Sequence, residues 1–435
     1  VLPATRDEVL RVVRVLAHYA VPFVPRGAGT GLSGGGVADE TQVLIVCTRL
    51  NRILSIDARN RRATVEPGVV NVRLSEAARP YGLYYAPDPS SQSACTIGGN
   101  VAENAGGPHC LKYGTTTSHV LELEVILPDG QAVTLGSPSG EPWGPDLVGV
   151  FVGSEGMFGI ATRITVRLQP LPQAVRTLLA DFSSLRAAGE AVSAIIAAGV
   201  VPAALEMMDR NCIRVVEASI YAAGYPVHAA AVLIVELDGP DAGAVAAESR
   251  EIERLLRLRG AGGVRVATDD AERARLWQGR KKAFGALGRR NADLLVQDAV
   301  VPRSALPDVL ERIGAIAVEH GLEVSNVFHA GDGNLHPNLT FDRRKPGDLA
   351  RVERASEAIM RVCIAAGGTI TGEHGVGSDK LRYMSLIFDP DTLGAMRAVR
   401  RAFDPHERAN PGKVIPVHQC REWRGQSRSR SGTAA

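Results

Sequence analysis

Aromatic residues are scarce in this chain, 5% of 435 residues, which argues against a ligand surface built from stacked rings. Long apolar runs are missing as well. No stretch approaches the roughly 18 residues a membrane-spanning helix needs, and no secretory leader pattern opens the sequence. Cys47, Cys95, Cys110, Cys212, Cys363 and Cys420 are scattered without a C-x-x-C pair. They outline neither a disulfide framework nor an iron–sulfur site, so a reducing, cytoplasmic compartment is the default expectation. Charge of either sign is not in excess: the net value of +2 gives no footprint for nucleic acid or an anionic membrane.

Glycine, by contrast, is abundant at 46 residues, and it concentrates in three loops. The first, Pro25-Arg26-Gly27-Ala28-Gly29-Thr30-Gly31-Leu32-Ser33, follows a short strand, Val21 to Val24. Its Gly29, Gly31 and Gly34 fit the G-x-G-x-x-G spacing of a dinucleotide turn. The context denies that reading, because the chain runs on into another strand, Val43 to Val46, rather than a helix. Backbone N–H groups in such a loop still suit phosphates. The second stretch joins Pro87-Asp88 to Thr96 through Gly107, and its glycines speak against a helix there. The third, Gly153 to Gly159, leads into the strand Ala161 to Leu168. Three such loops between short strands predict a ligand clasped by backbone along much of its length.

Two or three domains fit the length. A helix from Thr5 to Ala20 with Thr5 as N-cap opens the first, and Pro128-Asp129-Gly130 turns a hairpin between Val120–Leu127 and Ala132–Leu135. Gln169-Pro170-Leu171-Pro172 marks a boundary, giving domains at 1–168 and 169–418 and a disordered tail at 419–435 rich in Arg, Ser and Gly. In the second domain, strands at 177–182, 230–237 and 324–328 alternate with helices at 184–198, 248–259, 305–320 and 349–366. That order predicts an α+β domain with helices on one face of a mostly antiparallel sheet. The chain opens at Val1-Leu2-Pro3 at what reads as a strand end, so an upstream segment is expected.

The chemistry concentrates late. His329 and His336 bracket Gly331-Asp332-Gly333-Asn334, a tetrapeptide of strong turn formers. Positions seven apart on an unbroken strand face opposite ways; with a turn between them the imidazoles can converge. Beyond the turn, His336, Asn338 and Thr340 alternate with Pro337, Leu339 and Phe341, a strand with one polar and one apolar face. Gly372-Glu373-His374-Gly375 then supplies a carboxylate and another imidazole. Two histidines and one glutamate form a set that holds a divalent metal with an open position, although the spacing is neither that of a zinc finger nor of the helical H-E-x-x-H motif. A metal-dependent hydrolase accommodates these residues but leaves the glycine loops unexplained.

At this point the chain resembles a known superfamily. The three loops resemble the vanillyl-alcohol-oxidase-type (PCMH) FAD-binding domain. His329-x6-His336, Glu373-His374-Gly375-Val376-Gly377 and Asn410-Pro411-Gly412-Lys413 resemble the FAD-linked oxidase C-terminal domain. The resemblance runs from Val1 to about Pro416 and is nearest to the FAD-linked glycolate oxidase subunits and D-lactate dehydrogenases, with D-2-hydroxyglutarate dehydrogenases close by. It implies FAD held by Pro25 to Ser33, Pro87, Asp88, Thr96, Gly98, Gly99, Asn100, Asn104, Gly106 and Gly107 around the pyrophosphate and ribityl chain. Gly153, Glu155, Gly156 and Ile160 would lie along the adenosine, and Asn410 would return toward the flavin. Thr30 stands where some relatives attach FAD to histidine, so non-covalent FAD is expected.

The same resemblance implies His329, His336 and Glu373 as ligands of a divalent metal, zinc by first choice, and His374 as the base. Asn338 would touch the substrate and Arg280 would pair with its carboxylate through a fork of N–H donors. The 2-hydroxyglutarate enzymes carry a lysine ahead of a strand aspartate, which Leu295-Val296-Gln297-Asp298 lacks; a small monocarboxylate such as glycolate or D-lactate is favoured. A proton leaves the α-hydroxyl to the base while the flavin takes hydride. Further flavin and iron–sulfur oxidase subunits are the implied partners, with any membrane association made through them. A flavin-binding subunit without its own chemistry is the competing expectation, and retention of His329, His336, Glu373 and His374 argues against it.

Overall fold

The computed structural model describes residues 1–140, 144–290 and 293–416. The proposed tail at 419–435 and Cys420 lie outside the described residues. The chain begins with the helix Arg6–His18, capped by Thr5, whose side chain accepts the N–H of Glu8. Val9, Val13 and Leu16 lie on one stripe of it, as helical periodicity demands, and pack on Phe23 and Ile45. Those two belong to a parallel pair, Phe23–Arg26 with Val43–Val46. The strand therefore carries Pro25 and Arg26 of the first glycine loop within it.

A five-stranded antiparallel sheet follows, in the order Ile53–Asp57, Arg62–Val65, Ile160–Arg167, Val120–Ile126, Ala132–Gly136. The last two strands form the expected hairpin, with Ile126 opposite Ala132. One expectation fails here: Thr96 to Gly107 is not helix-free. Ile97–Glu103 is a helix whose N-cap Thr96 accepts the N–H of Gly99 at 3.2 Å. Packing overrides the poor helix propensity of glycine, since a Cβ on Gly98 would lie 2.5 Å from Pro67 Cβ.

The second half is built on a nine-stranded sheet whose pairings are all antiparallel. Its main path runs Ala261–Val266, Ala174–Phe182, Ala231–Gly239, Ala204–Asp209, Glu323–His329, Asn334–Leu335, Ala299–Val300. Pro337–Phe341 also pairs with Glu323–His329 and carries Asp293–Val296 on its other edge. Helices cover both faces, not one. Leu185–Ala197, Ala242–Leu258, Leu306–Glu319 and Asp348–Ala365 pack one side. Arg210–Glu217 and Asp270–Arg290 pack the other. The long helix Asp270–Arg290 has no clear amphipathic signature in sequence because Gly279, Gly285 and Gly288 interrupt it. Gly279 is there for close approach: a Cβ would sit 2.6 Å from Tyr225 Oη.

The chain finally returns to its beginning. Ala409 bridges Phe23, Asn410 N–H donates to Phe23 O at 2.8 Å, and Ile415 joins the core of the first sheet. The two halves are thus closed on each other by the C-terminal segment.

Candidate active site

Between the halves lies a cavity of about 520 Å³. Pro25 to Leu32, Thr96, Gly98, Gly99, Asn100, Gly106, Glu155, Gly156 and Ile160 line it, and so do His329, His336, Glu373 and His374. The glycine loops and the His/Glu cluster therefore share one space. The cradle is drawn tight around its glycines: a Cβ on Gly27 would fall 2.4 Å from Thr96 Oγ1, and one on Gly29, at φ +73°, 2.2 Å from the Arg26 guanidinium.

Several residues expected at the cofactor stand behind that wall instead. Ser33 uses its carbonyl to accept N–H groups from Ser378 and Asp379, each at 3.1 Å. The Pro87 carbonyl accepts from Asn71 Nδ2. Asp88 binds His109 Nδ1 at 3.0 Å. Asn104 caps its helix in the left-handed region and accepts from Thr117. Gly107 and Gly153 are turns with φ of +151° and +83°. Asn410 Nδ2 donates to Gly35 O and Glu155 O, tying the first and third loops together.

The histidine pair converges through the turn. His329 pairs with Asn334 across the hairpin, and the His329 and His336 ring centroids are 5.2 Å apart. Their Nε2 atoms both reach Glu373 Oε1, at 3.1 and 3.2 Å. Their Nδ1 atoms are committed elsewhere: His329 to Glu206 Oε1 at 2.7 Å and His336 to the Gln297 carbonyl at 3.2 Å. That leaves the Nε2 edges facing one point, the arrangement in which outer hydrogen bonds orient metal-binding imidazoles. Glu206 stands directly opposite His329 on the neighbouring strand. Burial opposes charge on both, yet the flanking carboxylates of Glu206 and Glu373 hold the His329 imidazole well above its ordinary range.

A second group, Asp298, His336 and His374, also brings its ligand atoms close together. It is a poorer cage, because the Asp298 carboxylate is already saturated. It accepts Thr371 Oγ1 at 2.6 Å, the Gly372 N–H at 3.0 Å and the His374 N–H at 3.1 Å. Lys380 Nζ donates to it at 2.8 Å. Burial works against this carboxylate, but the Lys380 ammonium keeps it ionised. Its part is to hold the loop 371–374. The other end of the loop is held from the first domain, where Glu155 accepts the N–H groups of Val376 and Gly377 at 2.6 and 2.7 Å.

His374 itself stacks flat on His336 at 4.8 Å and stands 3.9 Å from Glu373 Oε1. Burial pushes its pKa down to about 4, so it is a neutral imidazole at pH 7 and free to accept a proton.

The two residues expected at the substrate are both off the cavity wall. Asn338 is fully buried and donates to Ser325 O and His336 O at 3.1 and 2.6 Å, which fixes the backbone of His336. Arg280 is fully buried and forms an ion pair with Glu206, Nε to Oε2 at 2.6 Å. One residue turns a helix by about 100°; Arg280 shares the inward face with Leu276, Ala283 and Leu287, and its neighbour Lys281 reaches the cavity. Sequence reasoning also missed Glu206 itself, although a lone carboxylate in the apolar run Ala203-Ala204-Leu205-Glu206-Met207-Met208 is a signal of a buried partner.

Comparison with known proteins places this architecture. The chain matches the FAD binding domain over residues 1–136 and the C-terminal domain of FAD linked oxidases over residues 171–414. It is 50% identical over 424 residues to the glycolate oxidase subunit GlcD of Escherichia coli, covering 97% of this chain and 85% of that protein. It is 31% identical over 417 residues to a D-lactate dehydrogenase of Archaeoglobus fulgidus, covering 95% and 90%. A solved structure of p-cresol methylhydroxylase with substrate bound shares the fold at a TM-score of 0.80 and 16% identity, covering 95% of this chain and 88% of that one. The protein is an FAD-binding oxidoreductase that belongs to the FAD-linked oxidases.

Proposed function

We propose that this protein oxidises a small 2-hydroxy acid, glycolate or D-lactate, to the corresponding 2-oxo acid, with His374 as the base. The observation that carries this reading is the position of His374: a neutral imidazole stacked on His336, on the wall of the cavity that the glycine loops build. The names of the relatives, a glycolate oxidase subunit and a D-lactate dehydrogenase, agree with it.

When bound, FAD would supply a two-electron hydride acceptor, and a divalent cation would supply a Lewis acid for the α-hydroxyl. The residues present fit both. The glycine cradle leaves room that any Cβ on Gly27 or Gly29 would fill, and no histidine occurs in the first loop, where Thr30 stands, so FAD is held without a covalent bond there. His329, His336 and Glu373 are the cation ligands in this reading, two imidazoles and one carboxylate, a set that suits zinc. His374 takes the hydroxyl proton, and the loop anchored by Asp298 and Glu155 keeps it aimed. Glu206 and Asn338 orient His329 and the His336 backbone. Val296 on the wall, two residues ahead of Asp298, offers no cation for a second carboxylate, which favours a monocarboxylate over D-2-hydroxyglutarate. The electrons pass on to partner subunits or a respiratory acceptor; "subunit" in the relative's name supports an assembly with further chains, which this reading takes to be flavin and iron–sulfur subunits. Among the described residues no helix is long and apolar enough to cross a membrane.

Anaerobic mixing with glycolate, D-lactate, L-lactate and D-2-hydroxyglutarate tests the reading through the flavin band near ~450 nm. Bleaching by glycolate or D-lactate that is lost on chelation is the expected result. A flavin band that none of the four acids bleaches overturns it.

A further inference from the structure

Glu103 is the last residue of the helix Ile97–Glu103 and lines the cavity beside the first glycine loop. It sits against a second carboxyl group, that of Glu155. A Cβ on Gly35 would meet Glu103 Oε1 at 3.1 Å and Glu155 Oε2 at 3.2 Å. One on Gly375 would run into Glu103 Oε2 and Glu155 Oε1 alike. The two groups therefore lie side by side, between the first loop and the backbone that follows His374. Their partners differ. Glu155 accepts the N–H groups of Val376 and Gly377 at 2.6 and 2.7 Å, whereas Glu103 Oε2 is enclosed without a hydrogen-bond partner. Two cations act on the pair from other elements, Lys380 and Lys413. Lys380 is committed to Asp298 at 2.8 Å, and Lys413 divides its attraction between Asp39 and Glu155. Like charges held this close do not both ionise, and the two N–H donors decide which one does. Burial and then the Glu155 carboxylate raise Glu103 well above the ordinary carboxylate range, while at Glu155 the loop N–H groups work against burial.

We propose that Glu103 and Glu155 share one proton, carried on Glu103, and that this pair keeps the loop bearing His374 clamped to the first domain. Glu103 acts through Glu155 and is a positioning residue. With the proton in place, Glu155 stays ionised and keeps both of its N–H bonds to the loop. The pair titrates as a unit. Loss of its proton to solvent sets two carboxylates against each other at Gly375, and the clamp loosens. The effect on rate rests on the reading of His374 as the base given above; the shared proton does not.

The test uses the full-length, FAD-loaded protein and its Glu103→Gln variant, which is neutral at every pH. Infrared spectra at pH 7 should show a protonated-carboxyl band in the wild type that Glu103→Gln lacks, a readout free of turnover. The wild-type kcat/KM for glycolate and D-lactate should fall at alkaline pH, by up to about tenfold per pH unit for one lost proton. Glu103→Gln should keep most of the rate at pH 7 and lose that alkaline fall. Glu103→Met, neutral as well, should lack the same band and the same fall, and it serves if the amide variant does not fold. Wild-type and variant spectra with no difference in the band would overturn the shared proton. An alkaline fall that is the same in all three proteins, or absent from the wild type, would overturn the clamp while leaving the reaction class intact. A wild-type protein that oxidises neither acid overturns the reading of the reaction, and the infrared band then decides the pair by itself.

Discussion

The two ends of the cavity hold their ligands by opposite means. The glycine-loop end is made of main chain: glycines pressed against Thr96, Pro67 and Arg26, with no room for a Cβ. The His/Glu end is made of side chains, and each is fixed by another behind it: His329 by Glu206, His336 by Gln297 and Glu373, the 371–374 backbone by Asp298. A backbone surface fails by addition of atoms and a side-chain surface by their removal. The two ends should therefore respond differently to substitution, and the difference is measurable.

The largest effect is expected from His374→Ala. Loss of a positioned base costs roughly 10²- to 10⁴-fold in rate, and the flavin should remain, so turnover collapses in a protein that is still yellow. Arg280→Met strikes one layer deeper. It leaves the buried Glu206 with His329 as its one remaining charged partner, and breaking a buried pair typically destabilises by about 3–5 kcal/mol; a thermal melt should show it, and an unchanged Tm would refute the pairing. At the other end, Gly27→Ala should act by intrusion. The new methyl group would meet Thr96 Oγ1 at 2.4 Å and disturb a cap worth about 0.5–2 kcal/mol. The flavin-to-protein absorbance ratio after dialysis should fall, with the kcat of the fraction that keeps flavin near wild type. The smallest effect is a matter of pH. His374 is a base only when neutral, and burial sets its pKa at about 4. The acid limb of kcat/KM, which reports the free enzyme, should therefore fall below the ordinary 6.5 of histidine. The same depression makes the neutral ring a source of stability above pH 6.5 that is lost as pH falls toward 4.

Much of the molecule was legible beforehand because its signals are local. Thr5 before a helical stripe, Pro128-Asp129-Gly130 between alternating strands, and His329 and His336 around a turn each specify their own geometry within a few residues. What escaped depends on distant parts of the chain. Ile97–Glu103 forms a helix through glycine because Pro67 packs against it. Arg280 and Lys281 are adjacent cations in sequence, and only the rotation of a helix against Glu206 sends one inward and the other to the cavity. Helices on the second face of the sheet were missed for a related reason: the buried stripe Leu276, Ala283 and Leu287 of Asp270–Arg290 is broken by Arg280, and Gly279 beside it lets Tyr225 approach. Asn338, on the polar face of its strand, spends its donors on neighbouring carbonyls, a choice that alternation alone does not reveal.

The loop 371–377 is gripped at its start by Asp298 and at its end by Glu155, and these two carboxylates come from different halves of the chain. During synthesis Glu155 emerges first, Asp298 second and the loop last. Domains generally fold as they appear, so the reactive imidazole is mounted only after both of its supports exist. A chain cut short before residue 371 holds both carboxylates and lacks the loop they grip.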